Sequence, residues 1–225
     1  MRRWNGLLIG LLIVIFAMSG CTTKVQPMEQ FNMDMDYYYG TSENNVFTND
    51  FVNISIDTPE DWHVIEDQMK QQMLLMAEQV LGEDPEAYEN IKLEDVRVYN
   101  LLFLFKYPVE TQDKFNPSLL TIVERLPEEG IESEEAYLNA SKELMSTNEL
   151  PMGFEYAFEE TYNKEVISGK EFTVMQVALK TSVTDLNQKF FVHKLDDKVL
   201  SFIISYSTEA EEEELMNIIK TLTFK

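Results

Sequence analysis

A chain of 225 residues with 44% hydrophobic and 12% aromatic residues has ample material for a packed core, which excludes a wholly disordered protein. It carries 40 acidic residues against 18 basic ones, a formal net charge of −22, so it repels nucleic acids and anionic lipid headgroups. The same charge favours cations or a basic protein partner as ligands. Alternatively, the charge only keeps the protein soluble.

The first twenty residues have the features of a secretory signal. Arg2 and Arg3 make a short basic start, and an apolar run of 13 residues follows from 6 to 18. Because a helix needs roughly 20 apolar residues to cross a bilayer, a permanent transmembrane helix is the weaker interpretation. Removal of residues 1–20 takes away two arginines and no acid, which leaves a net charge of −24.

Small residues precede the one cysteine of the chain, in the order Met18-Ser19-Gly20-Cys21. This stretch resembles a bacterial lipobox. The resemblance implies cleavage before Cys21, a diacylglycerol on its sulfur, and anchoring at the extracytoplasmic face of the cell membrane. Two or more acyl chains, such as palmitate, hold a protein firmly, whereas a single chain binds marginally. The alternative is an ordinary signal peptide with a chance cysteine.

The cysteine also limits the chemistry of the folded part. With Cys21 lipidated, that part has no disulfide, no thiolate nucleophile and no cysteine metal ligand. Residues 21–45 are expected to be the lipidated cysteine and a flexible tether, about 80 Å long when stretched. Residues 46–225 are predicted to form a single α+β domain. The tyrosine-rich segment Met33–Tyr39 is expected to dock on this domain rather than on a partner.

Hydrophobic periodicity predicts the elements of the first half. Val46–Asn49 and Phe51–Ile56 are predicted strands, and Trp62 is the expected core anchor of the turn that follows. Glu66–Leu81 has the clearest helical spacing, and a second helical piece is expected at 85–93. This helix has a stripe of methionines, Met69, Met73 and Met76. We expect the stripe to pack in the core rather than to form an adaptable binding surface.

The second half is mostly β in character. The predicted strands are Val96–Tyr107 (buried on both faces), Leu119–Leu126, Phe154–Glu159 paired with Tyr162–Ile167, Glu171–Lys180, Lys189–Leu195 and Val199–Tyr206. Tight turns are expected at Ser168-Gly169-Lys170 and at Asp196-Asp197. Ser133 is predicted to cap a helix that runs to Met145, and Thr208 with Glu211 forms a capping box before the last helix. Leu215, Ile218, Ile219 and Leu222 are its expected buried stripe.

This element order predicts an α+β fold in which helices pack on a mainly antiparallel sheet. The stretch Phe51 to Trp62, where a strand runs into a proline and a tryptophan, resembles the opening of the Mog1/PsbP-like family. The end of the chain, from Gly169 through the Asp196-Asp197 hairpin to Phe224, is also similar by element order. The resemblance implies an α-β-α sandwich, and it carries over no functional residue, because that family shares none.

Motifs for catalysis or cofactors are missing from the sequence. It has no phosphate-binding glycine loop, no GxSxG elbow and no calcium loop, so we predict no cofactor and no metal site. His63 and His193 are expected to be structural, the first exposed and the second half-buried. A non-catalytic binding or assembly module is therefore the favoured function, with a membrane anchor and a protein partner, and the acidic charge of the chain favours a basic partner. The alternative is a metal-dependent or hydrolytic enzyme that uses His63 or His193 with carboxylates.

Overall fold

The computed structural model of the chain describes residues 35–65, 98–109, 111, 114–126, 131–147, 155–180 and 185–225. Their helices are α1 (Met35–Tyr39), α2 (Glu134–Thr147) and α3 (Glu209–Ile219). Their strands are β1 (Thr41–Glu43), β2 (Val46–Asn49), β3 (Ile54–Asp57), β4 (His63–Val64), β5 (Val98–Phe105), β6 (Ser118–Arg125), β7 (Glu155–Phe158), β8 (Asn163–Ile167), β9 (Lys170–Lys180), β10 (Asp185–Leu195), β11 (Lys198–Tyr206) and β12 (Thr223–Phe224).

The larger of the two sheets formed by the described residues lies between the other layers. Its strand order is β4-β5-β6-β11-β10-β9, and β7 and β8 both pair with the far edge of β9. Every pairing in it is antiparallel. The strands β5, β6 and β11, and the Phe190–Val192 stretch of β10, are mostly buried on both faces, because each face is covered by another layer. The predicted α+β class and the mainly antiparallel sheet are confirmed.

The layers on the two faces of this sheet differ. One face packs against α2, through Tyr137, Leu138 and Met145. The other packs against α3, through Leu215, Ile218 and Ile219, and against a second sheet of order β1-β2-β3-β12. The predicted sandwich, with helices on both sides of a sheet, is therefore present. The four-stranded sheet beside α3 was not foreseen.

The predicted pairing of Phe154–Glu159 with Tyr162–Ile167 is wrong. Their strands β7 and β8 each pair with β9 instead, one after the other along the same edge. β9 has 11 residues, so β7 occupies it from Val177 to Lys180 and β8 from Lys170 to Val174. The length of β9 allows this end-to-end arrangement, which leaves β7 and β8 without a ladder between them.

Local signals for turns and caps are confirmed. The two-residue turn between β8 and β9 holds Ser168 and Gly169 at φ values of 52° and 74°, and the Asp196-Asp197 turn joins β10 to β11. At the start of α3 the hydroxyl of Thr208 accepts from the backbone N–H of Glu211, whose carboxylate accepts from Thr208 in return.

Residues 35–45, which precede β2, are structured and packed on the domain. Tyr38 stacks on the buried Tyr99 with ring centroids 5.6 Å apart, and Tyr39 contacts the same ring at 5.9 Å. β1 then pairs with β2. The interpretation that this tyrosine segment docks on its own domain is confirmed for Tyr38 and Tyr39. Residues 35–45, assigned to the tether from sequence, thus carry regular structure.

Some sequence predictions lie outside the described residues. These include the signal of residues 1–20, Cys21, the helices expected at 66–81 and 85–93, and the methionine stripe. Within the parts of the chain that the structure describes, no helix is long and apolar enough to cross a membrane.

Candidate functional site

A groove of about 660 Å³ opens where the small sheet, the end of β5 and the outer face of α3 meet. Its described lining comes from four parts of the chain that are distant in sequence. The lining residues are Asn44, Asn45, Val46, Asp57, Thr58, Pro59, Glu60, Asp61, Trp62, Lys106, Glu214, Asn217, Ile218 and Thr221. This volume is within the range of about 300–1,000 Å³ that is typical of ligand sites.

One wall of the groove is a pair of turns held together by the backbone. Asn44 and Asn45 form the β1–β2 turn at φ values of 51° and 62°, a conformation that asparagine tolerates better than most residues. The N–H of Thr58 donates to the carbonyl of Asn45 at 2.7 Å, and the N–H of Trp62 donates to the carbonyl of Pro59 at 2.9 Å. Trp62 is 7% exposed, so the core anchor expected from sequence also forms part of the groove.

The centre of the groove is an ion-pair cluster around Lys106. Its Nζ lies 2.7 Å from Oδ2 of Asp61 and 3.0 Å from Oε2 of Glu214, and 5.3 Å from the ring centroid of Trp62. The hydrogen bond from Lys106 lowers the pKa of Asp61. The same bond, reinforced by Glu214, raises the pKa of Lys106. Both groups are therefore charged across the physiological pH range.

The rest of the lining is acidic or polar. Among the described lining residues there are four carboxylates, from Asp57, Glu60, Asp61 and Glu214, and one ammonium, from Lys106. Their formal sum is −3. The hydroxyl of Thr221, another lining residue, is already committed, because it accepts from Asp57 N–H at 2.9 Å and donates to Ile218 O at 2.7 Å.

This arrangement suits recognition of a cationic group. Exposed carboxylates attract ammonium and guanidinium groups, and an aromatic face adds cation–π attraction. The described lining contains no serine, histidine or cysteine that could form a nucleophile-base pair. Throughout the described ranges, no group of three or more His, Cys, Asp or Glu is placed to hold a metal ion.

The two histidines of the alternative enzyme hypothesis lie on different strands. His63 is exposed on β4, opposite Phe105, and His193 is half-buried on β10. Four strand spacings separate β4 from β10, which is about 19 Å at roughly 4.8 Å per spacing. His193 has an ordinary structural environment: its Nδ1 lies 2.9 Å from the carbonyl oxygen of Glu171, and its ring contacts Phe172 and Phe224. The structure therefore does not bring the two histidines into one site.

Sequence reasoning missed the residues at the centre of the groove. None of Asp61, Lys106 and Glu214 was singled out from the sequence as a site residue. The available signal was weak: an acid beside a tryptophan, and a lysine that ends the apolar run of β5. Neither feature indicates that the three side chains meet.

Comparison with known proteins gives matches in structure alone. No protein-family model matches the chain, and no curated protein matches its sequence. Similar solved structures include cyanobacterial PsbP (CyanoP) from Synechocystis sp. PCC 6803, at 7% identity and a TM-score of 0.47, covering 80% of this chain and 91% of that one.

Two further structures are similar. LpqN of Mycobacterium tuberculosis, described as involved in cell envelope biogenesis, has 15% identity and a TM-score of 0.40, covering 76% of this chain and 83% of its own. The Ran-binding protein Mog1p of Saccharomyces cerevisiae has 11% identity and a TM-score of 0.38, covering 82% and 96%. At such identities the likeness concerns the fold alone.

Proposed function

We propose that this chain is a lipoprotein, anchored through Cys21 at the extracytoplasmic face of the cell membrane, that acts as a non-catalytic binding or assembly module. The basic start, the 13-residue apolar run and the Ser19-Gly20-Cys21 sequence support the anchor. An anchor of this kind keeps a binding module close to partners in the membrane or just above it.

The observation that carries the binding role is the acidic groove. Its carboxylates are available to a partner, since the Asp61 and Glu214 side chains are 69% and 52% exposed. A partner that presents lysine or arginine side chains complements this charge, and the net charge of −24 that remains without residues 1–20 steers such a partner toward it. Because exposed charges are screened over about 10 Å at 0.1 M salt, the binding weakens as salt is added.

The anchor is tested by replacing Cys21 with serine in the native host. The variant should leave the membrane fraction and fail to incorporate an alkyne analogue of palmitate. Thr22→Ser, which changes the neighbouring residue and keeps the cysteine, is the matched control and should behave as wild type. A Cys21→Ser variant that stays in the membrane after a high-salt wash, with unchanged electrophoretic mobility, would contradict lipid anchoring.

The groove is tested by titrating the protein with acetylated pentalysine at low salt and measuring the binding by calorimetry. Glu214→Gln should weaken binding several-fold, because it removes a carboxylate from the groove. Glu213→Gln is the matched control: Glu213 is the preceding residue on α3, is exposed and lies outside the lining, and the substitution changes the net charge equally. Equal weakening by both variants would show that only the overall charge attracts the peptide.

A further inference from the structure

We propose that Lys106 is an internal competitor for the groove, and that a partner's ammonium or guanidinium group takes its place between Asp61 and Glu214. This inference rests on the proposed binding function and adds to it the position and the chemical class of the group recognised. It follows from the contacts of the Lys106 side chain, whose ammonium pairs with two carboxylates of the same chain.

The ammonium of Lys106 already occupies a complete site for a cation. Two carboxylate oxygens lie 2.7 and 3.0 Å from it, and the Trp62 ring centroid lies 5.3 Å from it. Carboxylates and an aromatic face are the groups with which proteins recognise lysine and arginine side chains from a partner. Here the lysine comes from the same chain.

The carboxylates are open to solvent, whereas the lysine lies beneath them. The Lys106 side chain is 20% exposed, against 69% for Asp61 and 52% for Glu214. An incoming cation therefore meets the two carboxylates first. Exposed ion pairs shift an equilibrium by no more than about fivefold each, so exchanging one cation for another on these acids is not prohibitive.

The backbone around Lys106 is fixed while its side chain is long and flexible. The N–H of Lys106 donates to the carbonyl of Pro117 at 2.9 Å. The next residue is held on both sides: Tyr107 N–H donates to Oδ1 of Asn116 at 2.9 Å, and its carbonyl accepts from Nδ2 of Asn116 at 2.8 Å. Displacement of the ammonium thus requires rotation of the four-carbon side chain and leaves β5 unchanged.

A second lysine provides the contrast that makes the proposal testable. Lys189 pairs with Glu212 of α3 at 2.6 Å, with side chains 15% and 27% exposed, and neither residue lines the groove. Replacing either lysine by methionine removes one positive charge and one ion pair to α3. The two variants therefore differ in whether the freed carboxylates face the groove.

The test uses residues 22–225, which contain every residue that the structure describes, with acetylated pentalysine as the probe. Lys106→Met should bind the probe about three- to fivefold more tightly than wild type, because no internal cation has to be displaced. Lys189→Met should stay within about twofold of wild type. Adding Asp61→Asn to Lys106→Met should abolish the gain. Trp62 fluorescence gives a second readout at the site, and circular dichroism checks that each variant is folded.

The outcomes of this test separate the competitor role of Lys106 from the binding function of the groove. If Lys106→Met binds no more tightly than Lys189→Met, while Glu214→Gln still weakens binding relative to Glu213→Gln, the competitor role is refuted and the groove's binding function stands. If wild type and Lys106→Met both fail to bind the probe at low salt, both proposals are refuted.

Discussion

Gly40 allows a sharp test of how the N-terminal segment is held on the domain. It follows α1, and its N–H donates to the carbonyl of Asp36 at 2.8 Å. Its φ is +79°, a conformation that costs an L-residue roughly 1–2 kcal/mol. A Cβ at this position would overlap the carbonyl oxygen of Thr48 and lie 2.6 Å from a ring carbon of Phe47. Since Phe47 is 2% exposed, its ring has little room to move.

Gly40→Ala should therefore lower the free energy of unfolding by about 2–5 kcal/mol, the sum of backbone strain and about 1–3 kcal/mol of overpacking. Gly169→Ala is the matched control. Its φ is +74°, but nothing lies within 4 Å of the added Cβ. The control should lose the strain alone, about 1–2 kcal/mol. Both substitutions reduce the entropy of the unfolded chain equally, so the difference between them isolates the clash.

Urea unfolding of residues 22–225 measures this difference. Of the two tryptophans, Trp4 lies in the predicted signal, so the fluorescence reports on Trp62 alone. Equal losses of stability for the two variants would refute the close packing of Gly40 against β2. A normal slope with urea concentration is also expected, because neither change alters the surface exposed on unfolding.

A fragment that starts at Val46 lacks α1 and β1. Its free energy of unfolding should be about 2–4 kcal/mol lower than that of residues 22–225, because each lost aromatic pair contributes about 0.5–1.5 kcal/mol. Equal urea midpoints for the two chains would contradict this. Burial is the main reason that the pKa of Tyr137 lies well above its usual value, and the nearby negative charge of Glu124 raises this pKa further. Its contribution to stability is therefore complete below pH about 10, where an unfolded tyrosine ionises, and is lost as pH rises above that. Tyr137→Phe should show a shallower fall in Tm from pH 9 to 11 than wild type, and a parallel fall would contradict the assignment. The double variant His63→Ala with His193→Ala should bind pentalysine as wild type does, and loss of binding in a folded variant would favour the histidine-based alternative.

The predictions that succeeded concern residues close together in sequence. The capping box needs Thr208 and Glu211, three positions apart, and the β10–β11 hairpin needs the two aspartates between its strands. Such features follow from backbone geometry and short-range hydrogen bonds, which a pattern in one sequence records directly. The burial of β5 on both faces was visible in its continuous apolar run for the same reason.

The predictions that failed depend on partners far away along the chain. Alternation in β7 and β8 indicates strands, but it does not say that both pair with β9. The short strand β12 is specified by β3, where the hydroxyls of Ser55 and Thr223 lie 2.7 Å apart across 168 positions of sequence. Two-residue strands such as β4 and β12 have no periodicity to detect, so only tertiary contact reveals them.

The candidate groove could not be predicted for a related reason. Asp61, Lys106 and Glu214 each have a sufficient local explanation, as a turn residue, a strand end and an acid near a helix N-terminus. Their ion pairs join positions that are 45 and 108 residues apart. A site of this kind is formed by residues that do not stand out in the sequence, and it can be recognised only when the three-dimensional structure shows that their side chains are in contact.

The position of the groove relative to the N-terminal segment bears on the proposed role at a membrane. The α1 tyrosines pack on Tyr99 at the start of β5, whereas Lys106 follows the end of that strand. Lys106 is seven positions beyond Tyr99, at most about 23 Å away at roughly 3.3 Å per residue. In the proposed lipoprotein, α1 therefore packs at the start of β5, and the β1–β2 turn that follows α1 reaches the groove wall. Because residues 35–45 are folded, the part between Cys21 and α1 spans at most about 45 Å instead of 80 Å. A basic partner that binds the groove is thus held within a defined distance of the anchor.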